Sequence, residues 1–182
     1  MLELSHGYAW GVGSVDGAVG FVAMDALGAP VEVTHIVCAA DAALPMGTRL
    51  TADQAAAFDP AAIRSLEAPV KDFVALAEAL IGTPRSVGGR SGAGLDAGGL
   101  VALTLSLGGI RAPRFVDLQA DTLGHVVGAD APMLRGDLIF FADHVAIVSS
   151  DTQAVHVGSE QVVREAIADI DAGAIVVRRR LP

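Results

Sequence analysis

The chain has 182 residues, is 52% hydrophobic but only 4% aromatic, and carries a formal net charge of -9. That length allows one ordinary domain or two small ones with a real core. The acidity excludes broad nucleic-acid binding, which needs clustered Lys and Arg against phosphates, and the single Cys38 excludes an internal disulfide or a thiolate metal cluster. The longest uncharged apolar run, Ala97 to Ile110, is 14 residues, too short to span a bilayer. The opening stretch "MLELSHGYAWG" has no basic region and no sustained apolar segment, so no signal peptide and a cytoplasmic location are expected.

The first elements read as a small β unit. "GYAWGVG" (7–13) and "GAVGFVA" (17–23) are short strands joined by "SVDG", with Asp16-Gly17 as the hairpin signal. "PVEVTHIVCAA" (30–40) predicts a third strand, with Val31, Val33 and His35 on one face, and "LPMGTRLTA" predicts another turn and strand. The Ala- and Pro-rich "DQAAAFDPAAIRSLEAP" predicts a linker with a short helical turn. From Pro69 the period changes: Val70, Phe73, Val74, Ala77, Leu80 and Ile81 form one stripe at helical spacing, stopped by Gly82 and Pro84. A glycine-rich loop, "SVGGRSGAG", leads into a mostly buried helix, "GGLVALTLSLGGI", ended by Gly108-Gly109. After an irregular stretch from Arg111 to Arg135 come strands at 137–142, 144–150, 154–158, 161–167 and 174–181. Helices followed by antiparallel strands make the fold class α+β. The basic run Arg178-Arg179-Arg180 reads as a solvated strand end.

Two chemistries are weak. The glycine-rich loop ends in Asp96-Ala97-Gly98 rather than Gly-Lys-Ser/Thr, and a helix rather than a strand precedes it, which argues against a nucleotide cradle. His144 and His156, with Asp143 or Asp151, lack the third His or Cys of a good metal site. No metal or other cofactor is expected. The two histidines have a stronger use. Each interrupts an apolar strand where Val or Ile would be cheaper, and a short turn between the strands lets them face each other. A base and its orienter beside a helix N-terminus is the layout of a nucleophile–His–polar triad. The free N–H groups and positive dipole end of that helix would favour a thiolate in its first turn, yet Ala97 stands there. Ser86 and Ser91 lie outside the turn, and Cys38, in the other segment, reads as a small buried hydrophobe.

From Pro69 to Leu181 these residues resemble the NlpC/p60 family of bacterial cell-wall cysteine endopeptidases. "GTPRSVGG", "DAGGLV", "RGDLIFF", "HVAIV" and "VHVGS" match its Gly-Thr-Pro-Tyr-x-Trp-Gly-Gly, Asp-Cys-Ser-Gly-Leu-Val and Gly-Asp-Leu stretches in order and spacing. The resemblance implies a papain-like domain, helices on an antiparallel sheet, over 69–182. The Trp, Asp-Gly turn and Gly-Phe-Val strand of 1–68 resemble a shortened bacterial SH3-like β-barrel with its linker. The resemblance puts the catalytic pair at His144 and His156 and the nucleophile position at Ala97, and it puts Arg85, Asp96 and Gly98 on the substrate-binding wall. Four positions depart from the family: Ala97 for Cys, Gly98 for Ser, Arg85 for Tyr and Val87 for Trp. Their clustering on one wall implies a pseudoenzyme that binds a cell-wall peptide, of the γ-D-glutamyl-diamino-acid type, or a protein partner. Two alternatives stand: an active cysteine endopeptidase whose Cys was replaced by Ala97, and a structural subunit of a homo- or hetero-oligomer, with Val87 and Phe141 as apolar surface near the cleft. Without a thiolate opposite it, His144 is expected to titrate near the unperturbed value of about 6.5.

Overall fold

The computed structural model describes residues 3–15 and 17–182. Strands β1 (Glu3–Ser5), β2 (Tyr8–Val12) and β3 (Val19–Ala23) form one three-stranded antiparallel sheet. The β2–β3 hairpin falls where it is expected, with Val12 opposite Val19 and the Trp10 ring tilted against Phe21 at 4.9 Å. Asp16 of its turn signal lies outside the described residues. A second three-stranded sheet has β4 (His35–Val37) between β5 (Arg49–Leu50) and β6 (Ile63–Ser65).

Only the middle of the expected third strand, His35–Val37, is a strand. Residues 27–34, with Gly28 and Pro30, form no strand, and the two sheets are separate rather than one closed barrel. The expected linker also carries structure. Helix α1 (Ala52–Ala55) starts on a capping box, in which Thr51 accepts from the Gln54 amide and Gln54 reaches back to the Thr51 amide. β6 follows and pairs along β4.

Helix α2 (Phe73–Ala79) begins at Asp72, whose side chain accepts from the Ala75 amide at 3.0 Å. Val70, Gly82 and Pro84 lie outside it. A two-stranded ribbon, β7 (Arg90–Ser91) and β8 (Gly94–Leu95), precedes the central helix α3 (Ala97–Leu107). α3 is apolar around most of its circumference because it is buried on several sides, and it ends before Gly109, whose φ of 75° suits glycine. The irregular stretch after it includes α4 (Val116–Thr122) and β9 (His125–Val126).

The main sheet runs β13-β12-β11-β10-β14-β9, with β10 (Leu138–Phe140), β11 (Val145–Val148), β12 (Gln153–Val157), β13 (Val162–Ala166) and β14 (Val177–Arg180). Its strands alternate between two cores. Leu138, Phe140, Val145, Ile147, Val155 and Val157 join Leu100, Leu105, Val74 and Ala77 of the helices in the larger core. Ile139, Ala146, Val148 and Ala154 face a smaller one closed by Ile170. Ile36 and Met46 of the N-terminal segment also enter the larger core.

The sheet is anchored by a buried carboxylate. Asp137 accepts from Arg180 Nε at 2.6 Å and Nη2 at 2.8 Å, from the Leu134 amide at 3.0 Å, and more distantly from Arg178 at 3.4 Å. Burial works to raise its pKa, but hydrogen bonds from Arg180 and Leu134 outweigh that and hold the carboxyl below its usual range. The arginine run is thus not a solvated strand end. Arg178 is 7% exposed and donates to the carbonyls of Ala131 and Pro132. It is buried because β14 is an inner strand, between β10 and β9. Asp137→Ala leaves this basic pair without its counter-charge and is expected to lower stability by about 3–5 kcal/mol. Arg179, whose Nη2 donates to the Asp121 carbonyl, should cost about 1 kcal/mol as Arg179→Ala. Denaturant midpoints of the two variants check this, and equal losses would contradict the anchor.

Candidate active-site cleft

The cleft is built around Asp96, the N-cap of α3. Its Oδ1 accepts from the Gly99 amide at 2.7 Å, and its Oδ2 accepts from the Gly88 amide at 3.0 Å and from Arg114 Nη2 at 2.5 Å. One carboxylate so joins the helix, the glycine-rich loop and the segment after α3. Burial opposes its ionisation, but hydrogen bonds from Arg114 and the Gly99 amide prevail, and its pKa is lowered. The packing needs glycine twice. A Cβ at Gly99 would run into the Gly89 carbonyl, and one at Gly98 would sit 2.6 Å from the Arg114 carbonyl oxygen. The Gly98 carbonyl is in turn held by buried Gln119 at 2.9 Å.

Ala97 is the first residue of α3, where helix geometry leaves its amide and that of Gly98 without intrahelical acceptors. Ala97, Gly98, Asp96, Arg85, Arg114 and His144 line a cavity of about 210 Å³ with Phe115, Val116, Asp143 and Val157. No Cys, Ser or Thr is among these residues. A larger cavity of about 660 Å³ lies beyond, and Arg85, Asp143, His144 and Val157 belong to both.

His144 immediately precedes β11, and its Nε2 meets His156 Nδ1 at 2.8 Å, with the rings edge-on. His156 is buried on β12 opposite Ala146, alternating with the core residues Val155 and Val157. Its Nε2 lies 2.5 Å from Glu165 Oε1 on β13. Glu165 is two positions from Val163, the direct partner of His156, so it meets His156 diagonally on the same face.

Burial pushes the His144 pKa down to about 4, and the neighbouring His156 and Arg85 push the same way. This corrects the expectation of a value near 6.5, because no neighbouring anion offsets the desolvation of the half-buried ring. The structure brings Ala97, Gly98, Asp96, Arg85 and His144 together around one cavity, with His156 behind His144. Val87 is excluded. It is 95% exposed and lines neither cavity, so three of the four departures share the wall. Phe141 is no surface patch either, being 4% exposed in the smaller core. Cys38 is half-buried, with Sγ 3.5 Å from the Ala62 carbonyl, and it lines neither cavity. The two histidines bond each other, and among the described residues no group of three or more His, Cys, Asp or Glu is arranged to hold a metal ion. Arg114 and Glu165 are additions that sequence reading missed. The signal for Glu165 is its alternation with Val163 once the tight β12–β13 turn, closed by Gly158 N to Gln161 O at 2.8 Å, sets the register.

This arrangement is that of a papain-like cysteine peptidase or hydrolase fold. The NlpC/P60 family model matches residues 82–173, half of the chain, and the chain belongs to the NlpC/P60 family. Solved structures agree on the fold. An NlpC/P60 family protein from Bacillus cereus superposes with a TM-score of 0.76 at 20% identity, over 91% of this chain and 71% of its own. The peptidoglycan hydrolase RipB from Mycobacterium tuberculosis gives 0.51 at 24% identity over 64% of each chain. The Resuscitation Promoting Factor Interacting protein RipA, in a mutated form, gives 0.53 at 25% identity over 60% of each chain, so the match spans less than two thirds of that protein. No curated protein matches the chain. No helix among the described residues is long and apolar enough to cross a membrane.

The depressed His144 pKa has a defined sign. The unfolded chain takes up this proton near pH 6.5 and the folded chain only near pH 4, so the stabilisation is complete above pH 6.5 and is lost as pH falls toward 4. An NMR titration should leave the His144 ring neutral at pH 5.5, and His144→Gln should flatten the fall of stability between pH 6.5 and 4.5. A midpoint near 6.5 would contradict the desolvated ring.

Proposed function

We propose that this chain is a non-catalytic member of its family that binds a cell-wall peptide, of the γ-D-glutamyl-diamino-acid type, in the cleft between α3 and His144. The observation that carries this reading is the lining of the smaller cavity. It keeps the histidine and the helix N-terminus but has no Cys, Ser or Thr at position 97 or elsewhere in its lining. Removing the nucleophile of a protease costs on the order of a millionfold in turnover, and the helix amides cannot recover it. Solved relatives such as RipB are described as peptidoglycan hydrolases, which points to the same class of ligand here. Arg85, exposed at the junction of the two cavities, is suited to hold a peptide carboxylate as a bidentate donor.

A second reading, an active cysteine endopeptidase with Ala97 in place of its Cys, draws support from the intact contact between His144 and His156. A third, a structural or partner-binding subunit, draws support from the apolar face of the β1–β3 sheet, where Phe21 is 62% exposed. In every case residues 1–68 would act as a β-rich segment beside the peptidase-like domain of 69–182, joined to its core through Ile36 and Met46.

Calorimetry with a γ-D-glutamyl-diamino-acid peptide tests the first reading. Saturable heat is expected with no cleavage products by mass spectrometry, and Arg85→Ala should weaken binding about tenfold or more, as loss of a charged hydrogen bond does. No heat at millimolar peptide would remove peptide binding.

A further inference from the structure

The three-residue chain Glu165–His156–His144 uses more hydrogen-bonding order than two packed histidines require. Glu165 Oε1 lies 2.5 Å from His156 Nε2, and His156 Nδ1 lies 2.8 Å from His144 Nε2. A carboxylate only accepts, and a neutral imidazole carries one donor and one acceptor. With both rings neutral, a single placement of protons satisfies both contacts. His156 Nε2–H donates to Glu165, which leaves the His156 Nδ1 lone pair to accept from His144 Nε2–H. The His144 Nδ1 is then an unprotonated acceptor on a residue that lines the Ala97 cavity.

We infer that Glu165 is a positioning residue that acts through His156 to fix the tautomer of His144, so that His144 offers the cleft a hydrogen-bond acceptor rather than a donor. Glu165 does not line the Ala97 cavity and lies on the wall of the larger one, with its side chain 38% exposed. It therefore sets the polarity of the cleft from behind. The other charged groups on these walls are Arg85, Arg114, Asp96, Asp143, Asp169 and Asp171. None has a hydrogen bond to either ring among the described residues; the Asp96 carboxylate is taken by Gly88, Gly99 and Arg114. The consequence is a division of labour across the cleft. Arg85 and the free α3 amides donate, and His144 accepts, so the matching ligand group presents an anionic oxygen to the first set and an N–H or ammonium to the second. A peptide with adjacent carboxylate and amino or amide groups has that chemistry. This consequence rests on the peptide-binding reading, whereas the tautomer does not.

The test is ¹⁵N correlation spectroscopy of the imidazole rings in the ligand-free protein at pH 8. The inference predicts that His144 is protonated at Nε2 and unprotonated at Nδ1, and that Glu165→Leu moves both His144 ring nitrogens toward the averaged positions of an untethered imidazole. The backbone amide spectrum confirms that the variant is folded, and Glu165→Ala replaces it if it is not. Protonation of His144 at Nδ1 in the unaltered protein would overturn the inference without any variant, and so would an unchanged His144 pattern on loss of the carboxylate. Neither of those results bears on whether peptide heat is seen in calorimetry, so the two readings fail separately.

Discussion

The cleft depends on the Asp96 carboxylate. Its two oxygens receive the Gly99 amide of α3, the Gly88 amide of the glycine-rich loop and the guanidinium of Arg114. Three segments distant in sequence meet on one charge, and the close approach this permits leaves no room for a side chain at Gly98 or Gly99. An N-cap ordinarily satisfies one orphan amide and contributes about 1 kcal/mol. Here the cap also neutralises buried Arg114, so the helix start, the loop and the far wall form one unit.

The opposite wall is held by a second carboxylate. Asp137 ties β10 to β14 through Arg178 and Arg180, and β10 carries β11 and, through it, β12 and β13. The antiparallel register then steps His144, His156 and Glu165 diagonally along one end of the sheet. The fold thus presents a rigid helix N-terminus to a histidine whose orientation is set from the far side. The features that set the chemistry of this cleft are local. A methyl group stands at the helix start, Arg85 stands at the junction of the cavities, and the Arg114 backbone is packed against the residue after Ala97.

Much of this was legible in the sequence. The stripe ending at Gly82 gave α2, the apolar run closed by Gly108-Gly109 gave α3, and the spacing of "HVAIV" and "VHVG" paired His144 with His156. The failures have physical causes. β6 hid in an Ala- and Pro-rich stretch because it is a short partner of β4, and pairing rather than propensity makes it a strand. α4 has no apolar stripe long enough to show a period. The expected barrel stayed open because residues 27–34 form no strand to join its sheets. Arg178 read as solvated because its partner Asp137 is 41 residues away. Val87 read as cleft wall by its position in a motif, yet the loop turns it to solvent. Glu165 was missed because strand alternation cannot name a diagonal partner until the hairpin register is known.

The central claim is that this cleft is shaped to hold a peptide and not to cut one, with Arg85 and the Gly98–Arg114 contact as much a part of that as Ala97. The most direct measurement is the substitution Ala97→Cys, assayed for cleavage of a γ-D-glutamyl-diamino-acid peptide beside Ala97→Cys combined with His144→Ala. The account predicts a folded Ala97→Cys protein that binds and releases the peptide uncut. Cleavage by Ala97→Cys that disappears in the double variant would contradict it, because the absent sulfur would then be the whole of the difference.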